Sequence, residues 1–311
     1  MEKVLVTGGA GFIGSHLCEH LLGKGYEVVC LDNLLTGSRK NIEHLEVNSA
    51  FKFVQADLIK DPINLEKVDY VFDLASPASP VDFERLSEEI LLVNSLGVLK
   101  LLELAKRSDA KFLMASTSEV YGDPLEHPQK ETYFGNVNSF GRRSCYDEGK
   151  RFAEAACHVY LKKYGVDLRL VRIFNTYGPR MRTDDGRALI TFVMQGINKE
   201  PFTVNGDGSQ TRSPCYVSDM VDGLFKAMFT AGTKGQVFNI GNPVEISMKD
   251  LVKRVVQLTG AEEKIEHLPL TENDPHRRCP DITKAKTVLG WEPKVGLDEG
   301  LQKTIEYYKG L

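Results

Sequence analysis

Residues 7–14 read Thr-Gly-Gly-Ala-Gly-Phe-Ile-Gly, with Gly8, Gly11 and Gly14 at three-residue intervals. The run before it, Lys3-Val-Leu-Val-Thr7, has the character of a short buried strand, and a helical pattern fits 12–23 after it. Glycines at a strand-to-helix turn permit the tight bend and let the backbone approach a pyrophosphate, which the helix N-terminus then stabilises. The stretch therefore predicts the first strand and helix of a doubly wound parallel sheet.

The next strand, 27–31, leads into Asp32, about 20 residues past the loop, where a carboxylate accepts hydrogen bonds from an adenosine ribose. The same charge repels a 2′-phosphate, so NAD is expected rather than NADP. Asp57 closes the following strand, within reach of the adenine. Further strands fit 52–55, 70–74, 111–115, 168–173 and 236–240, and helices fit 86–107, 146–164, 188–197, 218–231, 247–259 and 297–308. Strands alternating with helices imply a parallel sheet covered on both faces. Residues 178–187 and 205–214, rich in Gly and polar residues, read as loops. The expected class is α/β, a Rossmann sheet with a smaller C-terminal α/β substrate domain. The NAD-binding domain is expected over 1–176 with a returning segment about 213–240, and the substrate domain over 177–212 and 241–311.

The 311 residues carry a net charge of −4. That balance argues against nucleic acid or an anionic membrane as partner, so an anionic substrate must meet local cations. No apolar run reaches the ~20 residues that span a bilayer. Met1-Glu2-Lys3 followed by Val4-Leu5-Val6 has no signal-peptide pattern, and a cytoplasmic location is expected. Six scattered cysteines without CxxC spacing read as reduced thiols. Cys145 is a neighbour of the reacting group rather than a nucleophile. His16 and His20, four apart on a helix, lack a third ligand and are read as structural, so no metal is expected.

Residues 146–150 are Tyr-Asp-Glu-Gly-Lys. Positions i and i+4 share one helix face, so Tyr146 and Lys150 point together. A neighbouring ammonium is expected to lower the phenol's pKa, letting Tyr146 take a proton from an alcohol as hydride departs. The strand at 111–115 runs into Ser116-Thr117-Ser118-Glu119, at the sheet edge where ligands bind.

TGGAGFIG, STSEVYG and YDEGK together resemble the extended short-chain dehydrogenase/reductase family, over about residues 2–309. Within that family the chain is most similar to the UDP-glucuronate decarboxylase branch, through LASPASP (74–80), ASTSEVYGDP (115–124), CYDEGKR (145–151), RIFNTYGPRM (172–181), GSQTR (208–212), YVSD (216–219), PDITKAK (280–286) and LGWEP (289–293). The resemblance implies NAD-dependent conversion of UDP-glucuronate to UDP-xylose through a transient 4-keto sugar. It implies Thr117, Glu119, Tyr146, Lys150 and Arg278 as catalytic. Around the cofactor it implies Gly8, Gly11, Phe12, Ile13, Gly14, Asp32, Asn33, Thr36, Gly37, Asp57, Leu58, Leu74, Ala75, Ser76, Tyr146, Lys150, Thr176 and Arg187. For the UDP-sugar it implies Pro77, Ser118, Glu119, Asn175, Arg212 and Arg278. A homodimer through the helices 86–107 and 146–164 is the family's habit.

The chemistry suits these groups. A 4-ketone beside a C5 carboxylate is a β-keto acid, which loses carbon dioxide as electrons move into an enolate that donors such as Thr117 and Tyr146 stabilise. Related 4,6-dehydratases carry an Asp-Glu pair where this chain has Ser118-Glu119, and their Asp protonates a departing hydroxide. The chain departs from the branch at Leu92, where a lysine facing the substrate is usual, and at Asn205, where a tyrosine is usual. These positions keep a UDP-glucuronate (or other UDP-hexose) 4-epimerase open as the alternative, followed by a sugar-nucleotide 4,6-dehydratase.

Overall fold

The computed structural model describes residues 1–63, 65, 67–270 and 277–311. Seven strands make the main sheet, in spatial order Val237–Ile240, Leu168–Ile173, Lys111–Thr117, Tyr70–Asp73, Lys3–Thr7, Glu27–Asp32 and Phe51–Gln55. All six pairings are parallel. From the central Lys3–Thr7 the chain builds outward to one edge, then returns beside it and builds to the other. The reversal opens a crevice above the carboxyl ends of Lys3–Thr7 and Tyr70–Asp73, the place where such sheets bind ligands.

Both faces are covered. Val98–Ser108 and Ser144–Tyr164 pack Leu101, Leu102, Ala153 and Cys157 on one face, and Phe12–Gly23 and Val217–Phe229 pack Leu17, Leu21, Met220 and Leu224 on the other. The strands are apolar runs rather than alternating ones because both their faces are buried.

Several elements differ from expectation. The single helix expected over 86–107 is three pieces: Ser87–Leu92, a π-type turn at Val93–Gly97, and Val98–Ser108. The wide turn seats Asn94, whose amide donates to Ile90 O and Ser76 Oγ, both at 2.9 Å. Gly149 on the neighbouring long helix leaves room for it, since a Cβ there would lie 3.2 Å from Asn94 Cβ. That long helix begins at Ser144, two residues before the expected start, and the strand at Lys111 runs on through Thr117. Asp32 is the last residue of its strand, whereas Asp57 lies two residues beyond Gln55. Short pairings escape the sequence pattern: Phe202–Asn205 with Ile265–Leu268, Thr176–Tyr177 with Cys215–Tyr216, and Thr211–Arg212 with Ile246–Ser247. The last of these places a strand inside the stretch expected to be a loop, because two residues are too few to show a period. Among the described residues no helix is long and apolar enough to cross a membrane.

Candidate active site

A cavity of about 1120 Å³ lies over the crevice. Every residue proposed from the sequence for cofactor, substrate or chemistry lines it, and so does Asn205, whereas Leu92 and Arg277 do not. One continuous space thus joins the glycine loop to Tyr146 and Arg278.

At the loop, Gly8 adopts φ +66°, and a Cβ there would stand 2.7 Å from Leu74 O. A Cβ on Gly14 would collide with the Gly8 carbonyl oxygen. Only bare backbone fits, which is the cradle a pyrophosphate requires. Asp32 is buried, and its two oxygens accept Ala10 N at 3.0 Å and Leu34 N at 2.8 Å. Burial raises its carboxyl, and those two N–H groups pull it back. Asp57 accepts from Ile59 N at 2.8 Å and from the Asn33 amide at 3.2 Å. Backbone amides thus hold both carboxylates on the wall of the same cavity. Gly14→Ala is expected to weaken NAD binding at least about tenfold, ~1.4 kcal/mol. Wild-type affinity in a fluorescence titration of the folded variant would remove the loop from the cofactor site.

Beneath the opposite end, the strand Lys111–Thr117 and the helix Ser144–Tyr164 bring the polar groups together. Thr117 Oγ1 accepts Glu119 N at 3.2 Å, capping the 3-10 turn Ser118–Tyr121, and its hydroxyl lies on the same wall as Tyr146. Lys150 Nζ donates to Ala115 O at 2.9 Å and lies 6.0 Å from the Tyr146 ring centroid. The expected lowering of the phenol by Lys150 is not what the geometry gives. Burial pushes Tyr146 up to about 12, and the counteracting groups are Thr117 and Arg187. Burial likewise lowers Lys150, while Asp73 raises it. The ammonium donates to a backbone carbonyl and feels the charge of buried Asp73.

Glu119 is held between two arginines. Arg278 Nη1 pairs with Oε1 and Arg143 Nη2 with Oε2. Burial raises this carboxyl, but Arg278 and Arg143 outweigh it and hold it at about 2. Arg278 also donates to Gly122 O at 3.2 Å, and its side chain is 4 % exposed. Arg187 is paired with Asp185 at 2.5 Å and adds positive potential at Tyr146 and Glu119.

Three neighbours escape sequence reasoning. Arg143 belongs to an Arg-Arg pair with no spacing signal. Phe83, in a stretch without a motif, stacks on Tyr146 with centroids 5.1 Å apart. Asp147 sits inside YDEGK, but only the fold reveals that it is buried beside Glu119. Elsewhere, Cys145 Sγ donates to Phe83 O at 3.4 Å and burial raises its thiol, which keeps it from being a thiolate. His16 bonds Pro179 O at 3.0 Å, while His20 packs edge-on against Phe225, so the two rings serve different contacts. Among the described residues, His127, Glu245 and Cys279 gather possible metal ligands. The Arg277 guanidinium lies across them, 2.8 Å from His127 Nε2 and 3.1 Å from Glu245 Oε2.

The sequence model of the GDP-mannose 4,6-dehydratase family matches residues 5–304. UDP-glucuronic acid decarboxylase 1 of Arabidopsis thaliana is 51% identical over 307 residues, 99% of this chain and 70% of that protein. UDP-glucuronic acid decarboxylase 1 of Xenopus tropicalis is 48% identical over 308 residues, 99% of this chain and 72% of its own length. The crystal structure of UDP-glucuronic acid 4-epimerase from Bacillus cereus, in complex with UDP-glucuronic acid and NAD, superposes with a TM-score of 0.90 at 33% identity and covers 99% of both chains. Sequence and overall fold agree along nearly the full length, and the chain belongs to the extended short-chain dehydrogenase/reductase family, among the relatives of the UDP-glucuronic acid decarboxylases.

Proposed function

We propose that the chain decarboxylates UDP-glucuronate to UDP-xylose through a transient 4-keto sugar. The observation that carries the reading is Glu119, fixed as a carboxylate by Arg278 and Arg143 on the wall it shares with Thr117 and Tyr146. The glycine cradle, Asp32 and Asp57 would hold NAD, with Thr176 and Arg187 at the nicotinamide end; NAD supplies the hydride acceptor and regains its starting state each cycle.

The chain's own groups would divide the work. Thr117 and Tyr146 hydrogen-bond the C4 oxygen, and Tyr146 takes its proton during oxidation and returns it at the end. Donors at that oxygen stabilise the enolate left when carbon dioxide departs, and C5 then takes a proton from solvent before C4 is reduced again. Arg212 and Arg278 line the same space and suit diphosphate and carboxylate, which a guanidinium can grip through two parallel bonds. Ser118, also on the wall, has no acidic proton to give to a leaving hydroxide, which disfavours a 4,6-dehydratase.

A 4-epimerase of UDP-glucuronate is the second reading. Leu92 favours it, because the lysine usual in the decarboxylase branch is missing and the side chain is off the cavity wall. Incubation with UDP-glucuronate separates the two. Carbon dioxide and UDP-xylose are expected; UDP-galacturonate alone, without carbon dioxide, would overturn decarboxylation.

The division of the chain into a cofactor domain (1–176 with 213–240) and a substrate domain (177–212 with 241–311) is supported by the seven sheet strands, all of which fall in the first set. A cytoplasmic homodimer completes the proposal. Leu91, Leu96, Phe152 and Val159 are each about half exposed on the two helical segments expected to pair. Light scattering is expected to give twice the chain mass, and Phe152→Asp to shift it toward one chain. A wild-type monomer would refute this assembly.

A further inference from the structure

Four charged groups neighbour one another, Arg278, Glu119, Arg143 and Asp147, and Arg143 does more than neutralise Glu119. Arg143 stands at the N-cap of the helix Ser144–Tyr164 and faces three ways. Its Nη2 pairs with Glu119 Oε2. Its Nε lies 3.8 Å from Asp147 Oδ2, one turn along the helix. Its guanidinium carbon lies 5.2 Å from the centroid of Phe83, the ring that stacks on Tyr146. The Arg143 side chain is 12 % exposed, so these contacts form with little competition from water.

Each carboxylate oxygen of Glu119 has its own arginine, Oε1 with Arg278 and Oε2 with Arg143. With Arg278 alone the carboxylate would be free to turn about its last bond and leave one oxygen buried without a charged partner. Arg278 comes from a segment remote in sequence, whereas Arg143 is three residues from Tyr146. Arg143 is thus the member that ties the position of Glu119 to the helix carrying the phenol. We infer that Arg143 is a positioning residue for the reaction, fixing the Glu119 carboxylate against Arg278 and seating Phe83 behind Tyr146. This rests on Glu119 acting in the reaction, as proposed above.

The charged groups around Glu119 fix the consequence for pH. Arg278 and Arg143 lower its carboxyl against the rise from burial. Glu119 in turn raises Asp147 and Tyr146, and Arg187 feels its charge as well. Asp147 is raised to about 7 by burial and by Glu119, with Arg143 and Arg278 opposing, and its Oδ1 is buried without a hydrogen-bond partner. Removing Arg143 takes a lowering charge from Glu119, so its carboxyl protonates at higher pH. It also takes one from Asp147, which then keeps its proton to higher pH and adds no negative charge beside Glu119.

The test uses the NAD-loaded enzyme and three variants, Arg143→Met, Arg143→Lys and Glu119→Gln, with kcat and KM for UDP-glucuronate measured across pH. Arg143→Met is expected to lower kcat roughly 10²-fold, the scale of a small misplacement at a reacting centre, while KM stays near wild type. The acid limb of its kcat profile moves to higher pH. Arg143→Lys retains the charge, recovers part of kcat and returns the limb toward its original place. Wild-type kcat in Arg143→Met, or a loss with an unmoved acid limb and no recovery in the lysine variant, would overturn the inference provided Glu119→Gln is impaired. Full turnover in Glu119→Gln would instead overturn the role of Glu119 itself, and the Arg143 inference with it.

Discussion

Tyr146→Phe is expected to lower turnover roughly 10²–10⁴-fold, the range that a positioned acid–base group contributes, while leaving NAD bound and the fold intact. The fold should survive because the ring does most of the packing. Phe83 stacks on it at 5.1 Å, and Leu86 and Ile90 share the same buried cluster. A phenylalanine keeps all of that and loses only the hydroxyl. Lys150, held by Ala115 O, does not depend on the phenol for its place. The pH dependence is a second signature. With Tyr146 at about 12, the phenol is protonated at neutral pH, so a step that needs the phenolate speeds up as pH rises. That rise should vanish from the residual activity of the variant. Retained NAD with near-wild-type turnover would remove Tyr146 as the base.

How much of this was legible before the fold follows from what each signal encodes. The glycine loop and Asp32 are local, bounded by a strand and a helix, and the chain alone places them. Tyr146 and Lys150 share a helix face, so their side of the helix was legible, but the direction of the ammonium was not. Ala115 O, from a strand more than thirty residues away, decides it. The arginine clamp is less visible still. Glu119, Arg143 and Arg278 come from three segments that only the sheet brings together, and the identity of Arg278 as a site residue came from resemblance rather than from spacing. The break in the helix at Val93–Gly97 has no sequence signal of its own, since its cause is the fit of Asn94 against Gly149 and Ser76.

Glu119→Gln is expected to reduce carbon dioxide release by roughly 10²-fold or more, since a group on the wall shared with Thr117 and Tyr146 loses both its charge and its fixed orientation. The groups for oxidation, Thr117, Tyr146 and Lys150, remain, so reduced cofactor is expected to accumulate on the enzyme when UDP-glucuronate is added. An unchanged rate of carbon dioxide release would show that Glu119 does not act in that step. Stability gives an independent readout. The glutamine takes from Arg278 and Arg143 the buried carboxylate they share, leaving Asp147 3.8 Å from Arg143 Nε, and breaking a buried pair in this way costs about 3–5 kcal/mol. The sign of the pH effect is fixed by the depressed carboxyl. Its ordinary value is 4.5 and its folded value about 2, so its stabilising contribution is complete above the former and is lost as pH falls toward the latter. The melting temperature of Glu119→Gln should therefore lie well below that of the wild type near neutrality, and the gap should narrow steadily as the solution is acidified through that window.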